Sequence, residues 1–96
     1  MRITDFLSFG KENAQPGKAL AQLLGINIRE LSLRIETERR SGEPICATTD
    51  GKNPGYYLAR NKQEMQEYCQ SLHRRAAEIY KTRQECLKTL EKLPEA

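Results

Sequence analysis

The sequence contains no run of about eighteen apolar residues, so no segment is predicted to span a membrane. Its N-terminal stretch, MRITDFLSFG, lacks the continuous apolar run that is typical of a signal peptide. The cysteines are few, odd in number and widely spaced, and no CxxC pair occurs among them: Cys46, Cys69 and Cys86. Because such a set does not resemble a disulfide framework, we expect free thiols in a reducing cytoplasmic compartment.

Motifs of the common enzyme classes are also absent. There is no glycine-rich dinucleotide or phosphate loop, no GxSxG elbow and no HExxH zinc motif. The chain has one histidine, His73, for acid–base chemistry near neutral pH. Cys69 and His73 lie one helical turn apart, but Cys46 and Cys86 do not complete the spacing of a structural zinc site. We therefore predict that the protein is not an enzyme and has no catalytic residue, metal, cofactor or small-molecule ligand.

What the chain does contain is charge and a modest set of apolar residues. Charged residues make up 30% and hydrophobic residues 38% of the 96 residues. The net charge of +3 is compatible with a nucleic-acid partner, although it is far below that of a histone-like protein. A chain of this length builds only a small core, so we expect a long helix or a partner chain to supply further buried surface.

Residues 18–40 predict two helices joined by a tight turn. The first apolar set is followed at once by Gly25, a residue that ends helices in the left-handed conformation, and Asn27 then suits the cap of a second helix. The apolar residues at helical spacing are Ala19, Leu20, Leu23 and Leu24 in the first helix and Ile28, Leu31 and Ile35 in the second. We expect both sets to face the core, which gives a helix-turn-helix.

A short β-hairpin is predicted after these helices. Residues 44–49 are strand-like, residues 50–55 are rich in turn formers, and Tyr56 begins a second β-prone stretch in which Tyr57 points to the opposite face. A helix-turn-helix followed by a hairpin is the arrangement of a winged helix. The predicted fold class is therefore mainly α with a small β-hairpin: a winged helix-turn-helix over residues 1–60, followed by a long C-terminal helix within residues 61–96.

The C-terminal segment predicts one helix from Lys62 to about Lys92, capped by Asn61 with Glu64 three residues later. Its heptad-like seam consists of Met65, Cys69, Leu72, Ala76, Ile79, Arg83, Cys86, Leu90 and Leu93. We expect the first half to pack on the winged helix and the second half to form a homodimer. The predicted dimer interface is Ile79, Arg83, Cys86, Leu87, Leu90 and Leu93, in which Arg83 weakens a parallel pair and tolerates an antiparallel one. The alternative is a helix that folds back on its own core or frays.

Several short runs, in this order, resemble those of small phage and prophage winged-helix DNA-binding proteins. They are Asn13-Ala14 through Ile26, Arg29-Glu30-Leu31, Gly42 to Cys46, Gly55 to Leu58, and Leu72 to Ala76. The sequence is more distantly similar to the N-terminal DNA-binding domain of the biotin operon repressor. The resemblance extends from about Gly10 to about Ile79. It implies a winged-helix fold and binding to double-stranded DNA in phage-derived gene control or replication.

The second helix carries the main candidates for DNA contact. If its apolar stripe faces the core, its opposite face can enter the major groove, with Arg29 near a base edge and Leu33 or Thr37 against a thymine methyl group. The candidate DNA-binding residues lie on this face, at the starts of both helices and at the hairpin tip: Lys18, Asn27, Arg29, Glu30, Leu33, Arg34, Thr37, Lys52 and Asn53.

Two alternatives remain open at this point. Residues 28–45 carry as many acidic as basic side chains, so this face is also consistent with an ordinary solvated helix in which Glu30 pairs with Arg34 and Glu36 pairs with Arg40. The winged helix is also consistent with a protein-interaction adaptor that does not touch DNA. DNA binding should weaken steeply as salt rises, and this separates the interpretations.

Overall fold

A computed structural model describes residues 2–49 and 54–95 of the chain. The helices are α1 (Gly17–Leu24), α2 (Ile28–Arg40) and α3 (Lys62–Lys92), and the strands are β1 (Ile45–Thr48) and β2 (Gly55–Leu58). Two short 3₁₀ turns, Ile3–Phe6 and Lys11–Asn13, precede α1. This order confirms the predicted class: mainly α, with a winged-helix-like topology and then a long C-terminal helix.

The turn between α1 and α2 forms as the sequence predicts. Gly25 adopts a left-handed conformation with φ of 69°, and the Ile26 amide donates back to the Ala21 carbonyl at 3.0 Å, which closes the end of α1. Asn27 then caps α2, because its side-chain oxygen accepts from the Glu30 amide at 2.8 Å. The chain thus reverses within a few residues and brings α2 against α1.

Fewer apolar residues of this helix pair are buried than the sequence predicts. Leu20, Leu31 and Ile35 are buried, but Leu23 is 66% exposed and Ile28 is 52% exposed. The expectation that these two residues face the core is therefore wrong, and Ala19 is exposed as well. Leu23 and Ile28 lie beside the tight turn, where α1 ends after only eight residues and no longer covers its neighbour.

The hairpin packs on both of its faces. β1 and β2 are antiparallel, with Ile45 opposite Leu58 and Cys46 opposite Tyr57. Ile45 and Leu58 join the core of α1 and α2, while Cys46 and Tyr57 join a second cluster with Tyr68 of α3. Tyr56 and Tyr57 alternate as predicted, and α3 covers the face away from the helix-turn-helix. The predicted wing tip, with Lys52 and Asn53, lies outside the described residues.

The N-terminal segment pairs with the outer edge of β2. The Gln15 amide donates to the Tyr56 carbonyl at 2.9 Å, the Tyr56 amide donates to the Gln15 carbonyl at 2.8 Å, and the Leu58 amide donates to the Ser8 carbonyl at 2.9 Å. Backbone groups of an edge strand that are already paired do not template another chain. We call the N-terminal segment, α1, α2 and the hairpin together the winged-helix-like unit.

The helix α3 contacts this unit only near its beginning. Tyr68 is 6% exposed, and Met65 is half-buried, whereas Cys69 and almost every later residue are exposed. The expectation that the first half of the predicted seam packs on the unit is wrong beyond Met65, because α3 crosses the hairpin and presents Tyr68 there. The helix nevertheless continues unbroken to Lys92, so it does not fold back.

The overall dimensions reflect this projecting helix. The radius of gyration is 16.9 Å, whereas a compact chain of this length has a value of about 12–13 Å. In the described ranges no helix is at once long enough and apolar enough to cross a bilayer.

The Glu64 carboxylate links α3 to two other segments. It accepts the Arg60 amide at 2.7 Å and the Lys11 amide at 3.2 Å. The hydrogen bond from the Arg60 backbone lowers the pKa of the Glu64 carboxyl below its usual value; burial opposes this effect, and the weaker hydrogen bond from the Lys11 backbone adds to the lowering. A carboxyl whose pKa is lowered by folding stabilises the native state above its ordinary pKa, and this contribution disappears as the pH falls through the folded value.

We predict that Glu64→Gln lowers the melting temperature near pH 7 and that this difference shrinks as the pH falls through the lowered pKa of the folded Glu64 carboxyl, where the wild-type group is itself protonated. Thermal denaturation of both proteins across this pH range measures the effect. A difference that stays constant with pH would show that the charge of Glu64 has no part in stability.

We also predict that Gly55→Ala destabilises the hairpin more than Gly42→Ala does. Both glycines have positive φ, 148° and 103°, which costs a side chain about 1–3 kcal/mol. A Cβ at Gly55 would in addition overlap the Gln15 carbonyl, whereas a Cβ at Gly42 would meet open space. Denaturant unfolding of both variants measures the difference, and equal losses would contradict the edge pairing of Gln15 with β2.

Candidate functional site

The exposed face of α2 is the surface opposite the buried Leu31 and Ile35. Arg29, Leu33 and Thr37 lie on it, and Leu33 is 58% exposed although it is a large apolar residue. The Thr37 hydroxyl donates to the Leu33 carbonyl at 3.0 Å and therefore stays close to the helix. The structure thus brings these three predicted DNA-binding residues onto one face of one helix, and we call this surface the α2 face.

Ion pairs engage two of the exposed arginines of α2. Arg34 lies 3.4 Å from Glu30, and Arg40 lies 2.6 Å from Glu36. Arg29 forms no ion pair within residues 2–49 and 54–95. Exposed pairs of this kind contribute only about 0.3–0.5 kcal/mol, so an incoming anion separates them at little cost.

The acidic residues near the end of α2 are partly withdrawn from the α2 face. The Glu38 carboxylate accepts the Ile3 amide at 2.7 Å and the Thr4 amide at 3.2 Å, which anchors the first 3₁₀ turn. Glu43 pairs with Arg2 at 2.5 Å. The sequence count gave an even balance of charge over residues 28–45, but two of its four glutamates contact the N-terminal segment instead: Glu38 binds backbone amides and Glu43 pairs with Arg2.

Arg39 performs a structural task that the sequence did not indicate. Its Nε donates to the Ile45 carbonyl at 2.8 Å, and its guanidinium lies 5.0 Å from the centre of the Tyr68 ring and 6.0 Å from that of Tyr56. It therefore connects α2, the hairpin and α3 through a hydrogen bond and cation–π contacts. Its position one turn after the buried Ile35 is the only signal of this in the sequence, because the partners are distant along the chain.

The remaining candidates lie apart from the α2 face or are partly engaged. Lys18 is exposed in the first turn of α1. The Asn27 side-chain oxygen is used in the cap of α2, which leaves its amide group for a ligand. The proposed contribution of Lys52 and Asn53 stays a prediction.

Two open grooves flank the beginning of α3. One, of about 720 Å³, lies between β1 and α3 and is lined by side chains that include Lys11, Arg74 and Arg75. The other, of about 500 Å³, lies between α2 and α3, and its lining includes Arg39, Arg40 and Leu72. We call the second one the α2–α3 groove. One nitrogen of the Arg39 guanidinium, Nη2, is buried without a hydrogen-bond partner.

The buried thiol and phenol of the second cluster are not poised for nucleophilic chemistry. Burial raises the pKa of the Cys46 thiol to about 11 and that of the Tyr57 hydroxyl to about 12. A reactive cysteine requires the opposite shift, because the thiolate is the nucleophile. Across the part of the chain that the structure describes, no three His, Cys, Asp or Glu side chains come together as a metal site.

Comparisons with protein-family models, with curated proteins and with solved structures found no match. The α2 face and the exposed part of α3 are therefore interpreted from their own geometry and chemistry.

We predict that Arg39→Leu lowers the free energy of unfolding by about 1–3 kcal/mol, since it removes a hydrogen bond to a buried carbonyl and the contact with Tyr68. Arg40→Leu removes the same charge from the neighbouring position, where the ion pair is exposed, and should cost less than about 0.5 kcal/mol. Urea denaturation compares the two variants. Equal losses would contradict the structural role of Arg39.

Proposed function

We propose that this protein binds double-stranded DNA in the cytoplasm as a non-enzymatic, winged-helix-type regulator or replication factor of phage or prophage origin. The observation that carries this proposal is the α2 face, which projects into solvent from a helix-turn-helix that precedes a hairpin. The major groove of B-DNA admits one α-helix, and α2 is thirteen residues long.

In the proposed complex the first turns of α2 read bases. Arg29 lies at the N-terminal end, where a recognition helix meets base edges, and its guanidinium can donate two hydrogen bonds to a guanine. Leu33 lies about one turn further along, where it packs against a thymine methyl group. Burial in the groove would also explain a leucine that is exposed in the free protein.

Contacts to phosphate orient the helix in this proposal. Arg34 exchanges its weak pair with Glu30 for a phosphate oxygen, and Lys18 at the start of α1 binds the backbone on one side of the groove. Lys52 and Asn53 bind the backbone from the wing. One copy neutralises few phosphates in this way, so we propose that the protein acts as a homodimer, which doubles the contacts.

A protein-interaction adaptor is the second candidate function. Leu23, Ile28 and Leu33 are all exposed on the helix-turn-helix, and ion pairs engage two of the exposed arginines. A surface that exposes apolar side chains, and whose charges are already paired, is better suited to binding a protein than to binding a phosphate backbone.

We predict that the double variant Arg29→Ala/Arg34→Ala loses at least about tenfold in affinity for duplex DNA, since Arg29 contributes about 1–3 kcal/mol at a base edge and Arg34 adds a phosphate contact. Fluorescence anisotropy with a labelled duplex measures the change. Lys81→Ala/Lys88→Ala is the matched control: it removes the same charge from exposed positions late in α3, and its affinity should fall much less.

The salt dependence of the same titration separates the two candidate functions. Binding that weakens steeply between about 50 and 200 mM salt indicates release of counterions from DNA. Absence of binding at low salt would refute DNA binding and favour the adaptor, and equal losses in the two double variants would refute the assignment of the α2 face.

A further inference from the structure

The part of α3 beyond the winged-helix-like unit carries an apolar face that nothing in the described chain covers. Ile79 is 70% exposed, and Leu90 and Leu93 are exposed to a similar extent. The residues at successive steps of four and three along this face are Leu72, Ala76, Ile79, Arg83, Cys86, Leu90 and Leu93. We call this set the α3 stripe; Tyr80 and Leu87 flank it and are also exposed.

The spacing of the α3 stripe is that of one strand of a two-helix coiled coil. Helical segments of this size are marginal in water without tertiary contacts, and salt bridges such as Lys81 with Glu78 contribute little to their stability. A facing helix with the same spacing would cover the stripe, and a second copy of this chain presents such a helix.

We propose that a second copy packs antiparallel on the α3 stripe, in one register: Leu72 opposite Leu90, Ala76 opposite Cys86, and Ile79 opposite Arg83. This inference rests on the homodimer in the proposed function, and it adds the surface, the orientation and the register of that dimer.

Arg83 selects the antiparallel orientation. In a parallel pair, the two copies of Arg83 would face each other in a single layer, where like charges repel each other. In the antiparallel register, each Arg83 faces Ile79 of the second copy, and the two guanidinium groups are offset by about 6 Å along the axis. The aliphatic stem of Arg83 covers Ile79 while its charged end reaches solvent beside Tyr80 of the second copy.

The length over which the two α3 helices overlap selects the register. A pairing shifted by one heptad toward the C-termini would leave Leu72 uncovered. A shift in the other direction would use Met65, which already packs against the second cluster of its own chain. The proposed register is the longest overlap that avoids this conflict, and it pairs the exposed helix over about 36 Å.

The α2–α3 groove supplies a complementary charge. Leu72 belongs both to the α3 stripe and to the lining of this groove, beside Arg39 and Arg40. The register brings residues 90–95 of the second copy to Leu72. That segment contains two glutamates against one lysine, and it includes the C-terminus of α3 with its partial negative charge. Arg39 and Arg40 against Glu36 leave the lining of the groove with one net positive charge, which this segment complements.

The register also sets the separation of the two winged-helix-like units. The twofold axis passes near Lys81, so the two Tyr68 residues, which mark where each unit docks, lie about 39 Å apart along the helices. Successive major-groove sites on one side of B-DNA are about 34–36 Å apart. The separation of the two docking points is therefore close to this spacing, which is compatible with two α2 faces on one duplex.

Disulfide cross-linking tests the orientation and the register together. In a background with Cys69→Ser, we compare the otherwise wild-type protein with Ala76→Cys, using oxidised glutathione and non-reducing electrophoresis. The proposed register places residue 76 opposite Cys86 within the roughly 7 Å that a disulfide requires, so Ala76→Cys should give mostly cross-linked dimer. The background protein should stay uncross-linked, since its two Cys86 residues lie about 15 Å apart along the axis. Lys88→Cys, on the outer face of α3, is the control and should also stay uncross-linked.

Each other outcome contradicts the proposal. Cross-linking of the background protein through Cys86 would indicate a parallel pair. A dimer in which Ala76→Cys fails to cross-link would exclude the register. A wild type that sediments as a monomer at about 100 times the concentration of the DNA titration would exclude self-association. A monomer that still binds DNA would refute this inference together with the homodimer and would leave DNA binding itself intact, whereas a cross-linked dimer without DNA affinity would refute DNA binding alone.

Discussion

The contact of Tyr68 with Arg39 determines how the molecule is arranged. Arg39 holds the end of α2 to the Ile45 carbonyl of the hairpin, and its guanidinium lies against the ring of Tyr68, the buried residue of α3. Because a hydrogen bond and a ring contact both depend on one side chain, the direction in which α3 leaves the unit is coupled to the position of α2. The α2 face and the α3 stripe are consequently held in a fixed relation to each other, although neither contacts the other.

Local signals in the sequence predicted the elements well, because each one depends on residues next to one another. Gly25 and Asn27 specified the turn into α2, and Asn61 specified the beginning of α3. Periodicity also showed which side of each helix is apolar. It did not show how far the neighbouring element extends, and for this reason Ile28 was placed in the core although α1 ends before it can cover that residue.

The residues whose roles the sequence did not predict are those whose contact partners are distant along the chain. Glu38 binds amides more than thirty positions earlier, and Arg39 binds a ring almost thirty positions later. Charge counted along α2 therefore did not show which of its charged side chains stay on the exposed face. On α3, the heptad pattern pointed to Cys69, yet Tyr68 is buried there because the hairpin approaches the helix from one side of that pattern. The sequence predicted both surfaces that we assign to partners, but only the burial of side chains in the folded chain shows which of their residues stay exposed.

The small core of this chain leaves two surfaces uncovered, a mixed polar and apolar face on α2 and an apolar stripe on α3. We interpret the face on α2 as the DNA-binding surface. The most direct test is an NMR titration of the ¹⁵N-labelled protein with duplex DNA at low salt. We expect the largest amide shifts at residues 29–37 of α2, with only small changes at residues 85–92 of α3. Shifts confined to α3, or no shifts at all, would contradict the assignment of DNA binding to α2.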